Sequence, residues 1–312
     1  MTALVVFLAL IASLAVWTRA LSRAAETAQP PTGAFQPVTG GTIHYVEAGP
    51  KEAQPIVLIH GLAGNLHHFT YAMVDILAKS HHVIALDRPG SGYSTRVDDG
   101  QATLEAQATM IWEFLDRQGI TNPVLVGHSL GGAVALAMTL ERPDAPAALA
   151  LLCPATQPQA GIPDVFRPLH LKWRGMRRVL AHTLVVPMTR LTRRRMLQEI
   201  FAPDPVPTDF ETRGGGPLAL RPETFISASA DLMATRESVS HLTERYATDL
   251  RVPGAILFAE DDAILSPDHH GTPMAAFGFD TTLLPGHGHM IPLTAPEACA
   301  EFILQTAAKA RA

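Results

Sequence analysis

The stretch Pro123-Val124-Leu125-Val126-Gly127-His128-Ser129-Leu130-Gly131-Gly132 decides how the rest of the chain is read. Pro123 to Val126 is a short apolar run, the pattern of a buried strand. The run Gly131-Gly132-Ala133-Val134-Ala135-Leu136-Ala137-Met138 is small and apolar and opens a buried helix. Between them lies Gly-His-Ser-Leu-Gly, a G-x-S-x-G match. A serine on a sharp strand-to-helix turn adopts a strained backbone, so the positions two before and two after it must lack bulk. The turn lifts the hydroxyl out of the sheet, and the helix N-terminus behind it offers N–H groups to developing negative charge. Ser129 is therefore the candidate nucleophile, and Leu130 N–H one candidate oxyanion donor. The competing reading is a tight strand–helix turn with an incidental serine.

The chain has 312 residues and 47% hydrophobic content, enough for one large core. A net charge of −5 gives no general case for nucleic-acid binding. Cys153 and Cys299 both sit in apolar surroundings and read as buried thiols, not a disulfide framework.

Residues 1–18 carry no charge, a length just sufficient to span a bilayer as a helix. Trp17 stands where an interfacial aromatic would, followed by Arg19 and Arg23. A cleaved signal peptide needs a positive n-region, which is missing here, so a single-pass anchor is the preferred reading. The two arginines on the C-terminal side put the remainder of the chain in the cytoplasm by the positive-inside rule. The expected organisation is an anchor (or signal) over 1–18 and a linker over 19–33. A core follows over 34–156 and 250–312, interrupted by an insertion over 157–249.

Strands are expected over 42–48, 55–59, 83–86, 147–152, 254–259 and 281–284, and helices over about 66–79 and 102–117. The strand at 55–59 runs into His60-Gly61-Leu62-Ala63-Gly64, a loop able to aim the Leu62 N–H at an oxyanion. The strand at 83–86 is followed by Asp87-Arg88-Pro89-Gly90-Ser91-Gly92-Tyr93-Ser94.

Strand, His-Gly-x-x-Gly, helix, strand, Asp-Arg-Pro-Gly-x-Gly-x-Ser, helix, strand, Gly-His-Ser-Leu-Gly-Gly: this order resembles the α/β-hydrolase superfamily, in the style of bacterial carboxylesterases and carbon–carbon hydrolases. The resemblance implies a mostly parallel, eight-stranded sheet flanked by helices. It also implies a helical cap formed by the insertion, and a triad in the order Ser, acid, His. Relatives carry Gly-x-x-Asp after the penultimate strand. Here Ala259 replaces the glycine, and the same count lands on Asp262, leaving Asp261 as the alternative acid. Relatives also carry Gly-His after the last strand, which points to His289 as the base and His287 as its loop neighbour.

The expected chemistry is acyl transfer: Ser129 attacks a carboxylic ester, His289 moves the proton, Asp262 orients the imidazole, and Leu62 and Leu130 receive the oxyanion. Neither a metal nor an organic cofactor is indicated, and the His287-x-His289 pair has no further ligand cluster around it. The same triad serves carbon–carbon hydrolases, acyltransferases and cofactor-free haloperoxidases. A non-catalytic ligand-binding member of the fold is the alternative of another class. The expected partner is an apolar ester, with the membrane as a second through the N-terminal helix. The insertion adds to that second expectation. From Phe166 to Gln198 it has nine Lys/Arg and no acid around the apolar run Val179–Met188. That pattern suits an anionic membrane surface, or a lid with its arginines in water. Gly214-Gly215-Gly216 reads as a hinge.

Overall fold

The computed structural model describes residues 1–309. Its strands are β1 (Ala34–Val38), β2 (Gly41–Ala48), β3 (Pro55–Ile59), β4 (His82–Leu86), β5 (Thr95–Arg96), β6 (Val124–His128), β7 (Ala148–Leu152), β8 (Gly254–Ala259) and β9 (Asp280–Leu284). They form one sheet in the order β1-β2-β4-β3-β6-β7-β8-β9, with the short β5 on β2. Pairings from β4 through β9 are parallel, while β2 runs antiparallel to its neighbours β1, β4 and β5. The expected α/β architecture is thus present, with β5 as an addition.

Strands β4, β6 and β7 are buried at every position. That is why they read as continuous apolar runs: helices cover both faces, leaving no polar side to alternate with. The helices Leu104–Gln118 and Leu130–Glu141 pack against each other beside the sheet, supplying Ile111, Trp112, Phe114, Val134 and Leu136 to the core. Thr103 starts the first of them by accepting from Ala106 N, and Gly119 ends it in the left-handed region.

Parallel pairing places chemistry at one edge, because every parallel strand ends on the same side. The register pairs Ile59 with Gly127, His128 with Leu152, and Ala259 with Leu284. Loops after β3, β6, β8 and β9 therefore converge, and these are the loops that carry Leu62, Ser129, Asp262 and His289.

Four expectations need correction. The linker expected over 19–33 is helical as far as Ala28, since the N-terminal helix runs unbroken from Thr2 to Ala28. The helix expected over 66–79 is split into His67–Thr70 and Met73–Leu77. The break frees the Tyr71 carbonyl to accept from Arg213 of the insertion, while the Tyr71 hydroxyl donates to Asp209. The three glycines are no hinge: all three are buried, and a Cβ on Gly215 would lie 2.2 Å from Asn65 Oδ1. Finally, two of the nine basic residues point inward. Arg177 binds Asp99 at 2.7 Å, and Arg193 faces the interior beside Glu211.

The N-terminal helix is long and apolar enough to cross a membrane, with mean hydropathy 2.2 over its best 18-residue window, 6% of which is buried. Its last third behaves differently. Thr18 donates to the Thr183 carbonyl at 2.9 Å, Ala25 is buried with Val186 and Leu220, and Glu26 pairs with Arg221. Gln29 then donates from its amide to the His67 ring and accepts from the Tyr93 hydroxyl. Deleting residues 1–16, none of them buried, is expected to leave the melting temperature within about 2 °C. Deleting 1–30 removes the docked third and is expected to lower it by about 5 °C or more. Equal melting temperatures for the two truncations would show that this docking contributes nothing.

Candidate active site

Ser129 sits between β6 and the helix Leu130–Glu141 with φ +56° and ψ −122°, a conformation costly for any residue with a Cβ. The glycines around it are required by close approach. A Cβ on Gly127 would lie 2.4 Å from the Gly131 carbonyl, and one on Gly131 2.1 Å from the Ile59 carbonyl. The elbow therefore presses directly on β3 and its loop.

The three expected triad residues meet. His289 Nε2 lies 2.9 Å from Ser129 Oγ, and His289 Nδ1 lies 2.7 Å from Asp262 Oδ2. The Asp262 carboxylate is fully buried, and its other oxygen accepts from the N–H groups of Ile264 at 2.8 Å and Leu265 at 2.9 Å. Burial alone would raise this carboxyl. The His289 imidazole and the two backbone donors outweigh burial and hold it below the usual carboxylate value. Asp261, the alternative acid, is exposed. A carboxylate on Nδ1 fixes the imidazole tautomer, leaving Nε2 free to take the serine proton.

Leu130 opens its helix, so its N–H has no helical acceptor. Among the described residues, neither it nor the Leu62 N–H donates to a carbonyl in the surrounding turns and loops. The Leu62 loop is clamped from behind. Arg88 donates from Nε to the His60 carbonyl at 2.9 Å and from Nη2 to the Gly61 carbonyl at 3.0 Å. Its Nη1 reaches Gln107 and Asp231, and Asp231 also pairs with Arg96. This wholly buried Arg88–Asp231 pair ties the loop to the helix Pro222–Asp249. Its acid lies more than a hundred residues away, so no local motif announces it.

Two further imidazoles border the serine. His128 donates from Nε2 to the His289 carbonyl at 3.0 Å, steadying the loop that carries His289. Burial, then the charge of His289, pushes His128 well below the usual imidazole range. His68, pushed by burial to about 4, is likewise neutral. His287 turns away from His289 and binds Asp204 at 2.9 Å, and Asp204 also accepts from Gly288 N at 2.8 Å. Asp204 thus holds the His289 loop from the segment 157–249, a contact that sequence spacing did not suggest. Cys153 Sγ lies within 4.8 Å of the Asp262 and His289 donors. Those two groups are already engaged with each other, and burial raises the thiol far above its usual value, so Cys153 offers no thiolate to a metal.

Ser129 and His289 form part of the wall of a cavity of about 470 Å³, roofed by the insertion. Its remaining wall is mostly apolar, including Phe166, Met196, Leu197, Phe210 and Phe225.

Comparison with known proteins agrees with this architecture. A family model described as alpha/beta hydrolase fold matches residues 54–296. The acetyltransferase component of the acetoin cleaving system of Pseudomonas putida is 27% identical over 283 residues, covering 88% of this chain and 68% of that one. Lipase 1 of Psychrobacter immobilis is 32% identical over 126 residues, 40% of this chain and 39% of the lipase. A thermophilic esterase from Thermogutta terrifontis superposes with a TM-score of 0.68 at 22% identity, over 90% of this chain and 100% of the esterase.

Proposed function

The chain belongs to the alpha/beta hydrolase fold family, and from that premise we propose that it is a serine hydrolase cleaving a carboxylic ester with an apolar acyl chain. The observation that carries this reading is the hydrogen-bonded series Ser129–His289–Asp262 opening into a mostly apolar cavity. Ser129 Oγ attacks the acyl carbon as its proton passes to His289 Nε2, and the carbonyl oxygen becomes an oxyanion facing the N–H groups of Leu62 and Leu130. Collapse expels the alcohol, which takes the proton from His289. Water then attacks the acyl-enzyme with His289 as base, releasing the acid and restoring Ser129. Each oxyanion donor contributes on the order of 3 kcal/mol to the transition state. A fluorophosphonate probe should label the protein, and a chain-length panel of aryl esters should be turned over. Absence of both would overturn the reading.

The segment 157–249 acts as the cap of this site, and the N-terminal helix as a membrane anchor for it. The docked residues 18–29 tie that helix to the cap, and Arg19 and Arg23 favour a cytoplasmic catalytic side. Support for a membrane-facing cap comes from the cavity mouth. Leu184 and Met188 border the cavity and are also 45% exposed, close in sequence to the exposed Val179 and Leu191. Around them Arg178, Arg190 and Arg194 are exposed and form no ion pair among the described residues, whereas Arg193 is buried and Arg195 is paired with Glu199.

The protein lacking residues 1–16 should therefore bind anionic vesicles at low salt and leave them as salt rises. Replacing Arg178, Arg190 and Arg194 by glutamine should weaken binding about 100-fold, at about 1 kcal/mol per charge. Binding insensitive to the triple change would make the basic surface a solvated lid face.

A further inference from the structure

We propose that Arg193 is a substrate subsite: it receives a carboxylate carried on the acyl chain remote from the scissile ester. This inference rests on the serine-hydrolase reading above and narrows its substrate from an apolar acyl chain to one with an anionic far end.

The helix Val186–Phe201 turns one stripe toward the cavity, with Thr189, Arg193, Met196, Leu197 and Ile200 at helical spacing. Within that stripe an aliphatic residue at 193 would complete the apolar wall. An arginine stands there instead, 8% exposed. Its Nη2 lies 2.7 Å from Glu211, close enough for an ion pair but without hydrogen-bond alignment, and its Nε has no partner. A desolvated guanidinium with unused N–H groups is costly, and proteins leave such donors bare chiefly where something else is to bind them.

The surroundings make room for the head group. A Cβ on Gly216 would lie 2.6 Å from Arg193 Nη2 and 3.1 Å from a Phe210 ring carbon. The guanidinium therefore rests against the Gly216 backbone, and Gly216 belongs to the same cavity wall as Ser129. The charge balance inside favours an anion. Glu211 is half-exposed, so water screens its carboxylate, while Arg193 is dry. Two of the three imidazoles bordering the cavity, His68 and His128, are held neutral by burial and supply no competing cation. A guanidinium offers five N–H donors in a fork, so it can keep Glu211 on its Nη2 edge and offer Nη1, which unlike Nε and Nη2 is not fully enclosed, to a carboxylate oxygen.

The test uses two matched series of para-nitrophenyl esters, one of straight-chain monocarboxylic acids and one of dicarboxylic acids with the second carboxyl free. At the chain length that spans the cavity, kcat/KM for the carboxylated ester should exceed that of its neutral counterpart at least tenfold. In Arg193→Gln, and in Arg193→Met combined with Glu211→Gln, the ratio should fall to near unity. The double change leaves neither charge buried and unpaired, so it covers the case in which the single variant fails to fold. A preference for neutral esters in the parent, or a ratio unchanged in the double variant, overturns the proposal. A second readout needs no turnover. Free straight-chain dicarboxylates should raise the melting temperature of the parent and not of the double variant. If they do so while no ester is cleaved and no phosphonate labels Ser129, the subsite stands and the hydrolase reading fails. If esters are cleaved and dicarboxylates shift neither protein, the subsite fails alone.

Discussion

Replacing Ser129 by alanine is expected to lower kcat/KM for any ester the protein cleaves by about 10⁴–10⁶ and to abolish phosphonate labelling. The size of the loss follows from geometry. Oγ stands 2.9 Å from His289 Nε2, on the residue that precedes the helix Leu130–Glu141. Without it, His289 can at best activate water in a cavity shaped for an acyl chain, and only the oxyanion donors and binding remain. Stability should change little. Alanine keeps the Cβ that already adopts φ +56°, and no side-chain bond of Ser129 other than that to His289 holds the turn. The melting temperature should stay within about 2 °C of the parent. Activity within tenfold of the parent, in a folded variant, would remove Ser129 from the nucleophile's role.

Legibility divided along physical lines. The sheet could be read because burial on both faces makes strands such as β7 uniformly apolar, a local signal. The elbow could be read because crowding leaves Gly127 and Gly131 no side chain. Asp262 and His289 needed resemblance as well, since an acid and a histidine in separate loops become partners only once β8 and β9 pair in parallel. The supporting groups were not legible. Arg88 meets Asp231, and Asp204 meets His287 and Gly288, across distances in sequence that no spacing rule spans. The basic segment misled for a related reason. Counting charges cannot tell an arginine in water from Arg177 or Arg193, whose acids, Asp99 and Glu211, lie outside the counted stretch.

The second large effect separates two adjacent acids. Asp262→Asn should lower kcat/KM by about 10³–10⁴, while Asp261→Asn should stay within a few-fold of the parent. The reason lies in the two N–H groups of Ile264 and Leu265, which both donate to Asp262 Oδ1. In the asparagine variant those donors select the amide oxygen for that position, and the NH₂ must then face His289 Nδ1. Two donors cannot share one hydrogen bond, so the imidazole moves its proton to Nε2, where it can no longer accept from Ser129. The variant should recover part of the loss at high pH only if the tautomer is not the cause, which makes a flat ratio of parent to variant above neutrality the supporting result. Stability carries a separate signature. Asp262 is held below the usual carboxylate value, so its ionisation stabilises the fold above about pH 4, and that stabilisation is lost as pH falls through the lowered folded value. Asp262→Asn should therefore show a shallower acid limb than the parent in melting temperature against pH, and Asp261→Asn, whose side chain is exposed, should not. If Asp261→Asn proves the more damaging of the two, the acid of the relay is Asp261, and the hydrogen bond between Asp262 and His289 does not describe the working enzyme.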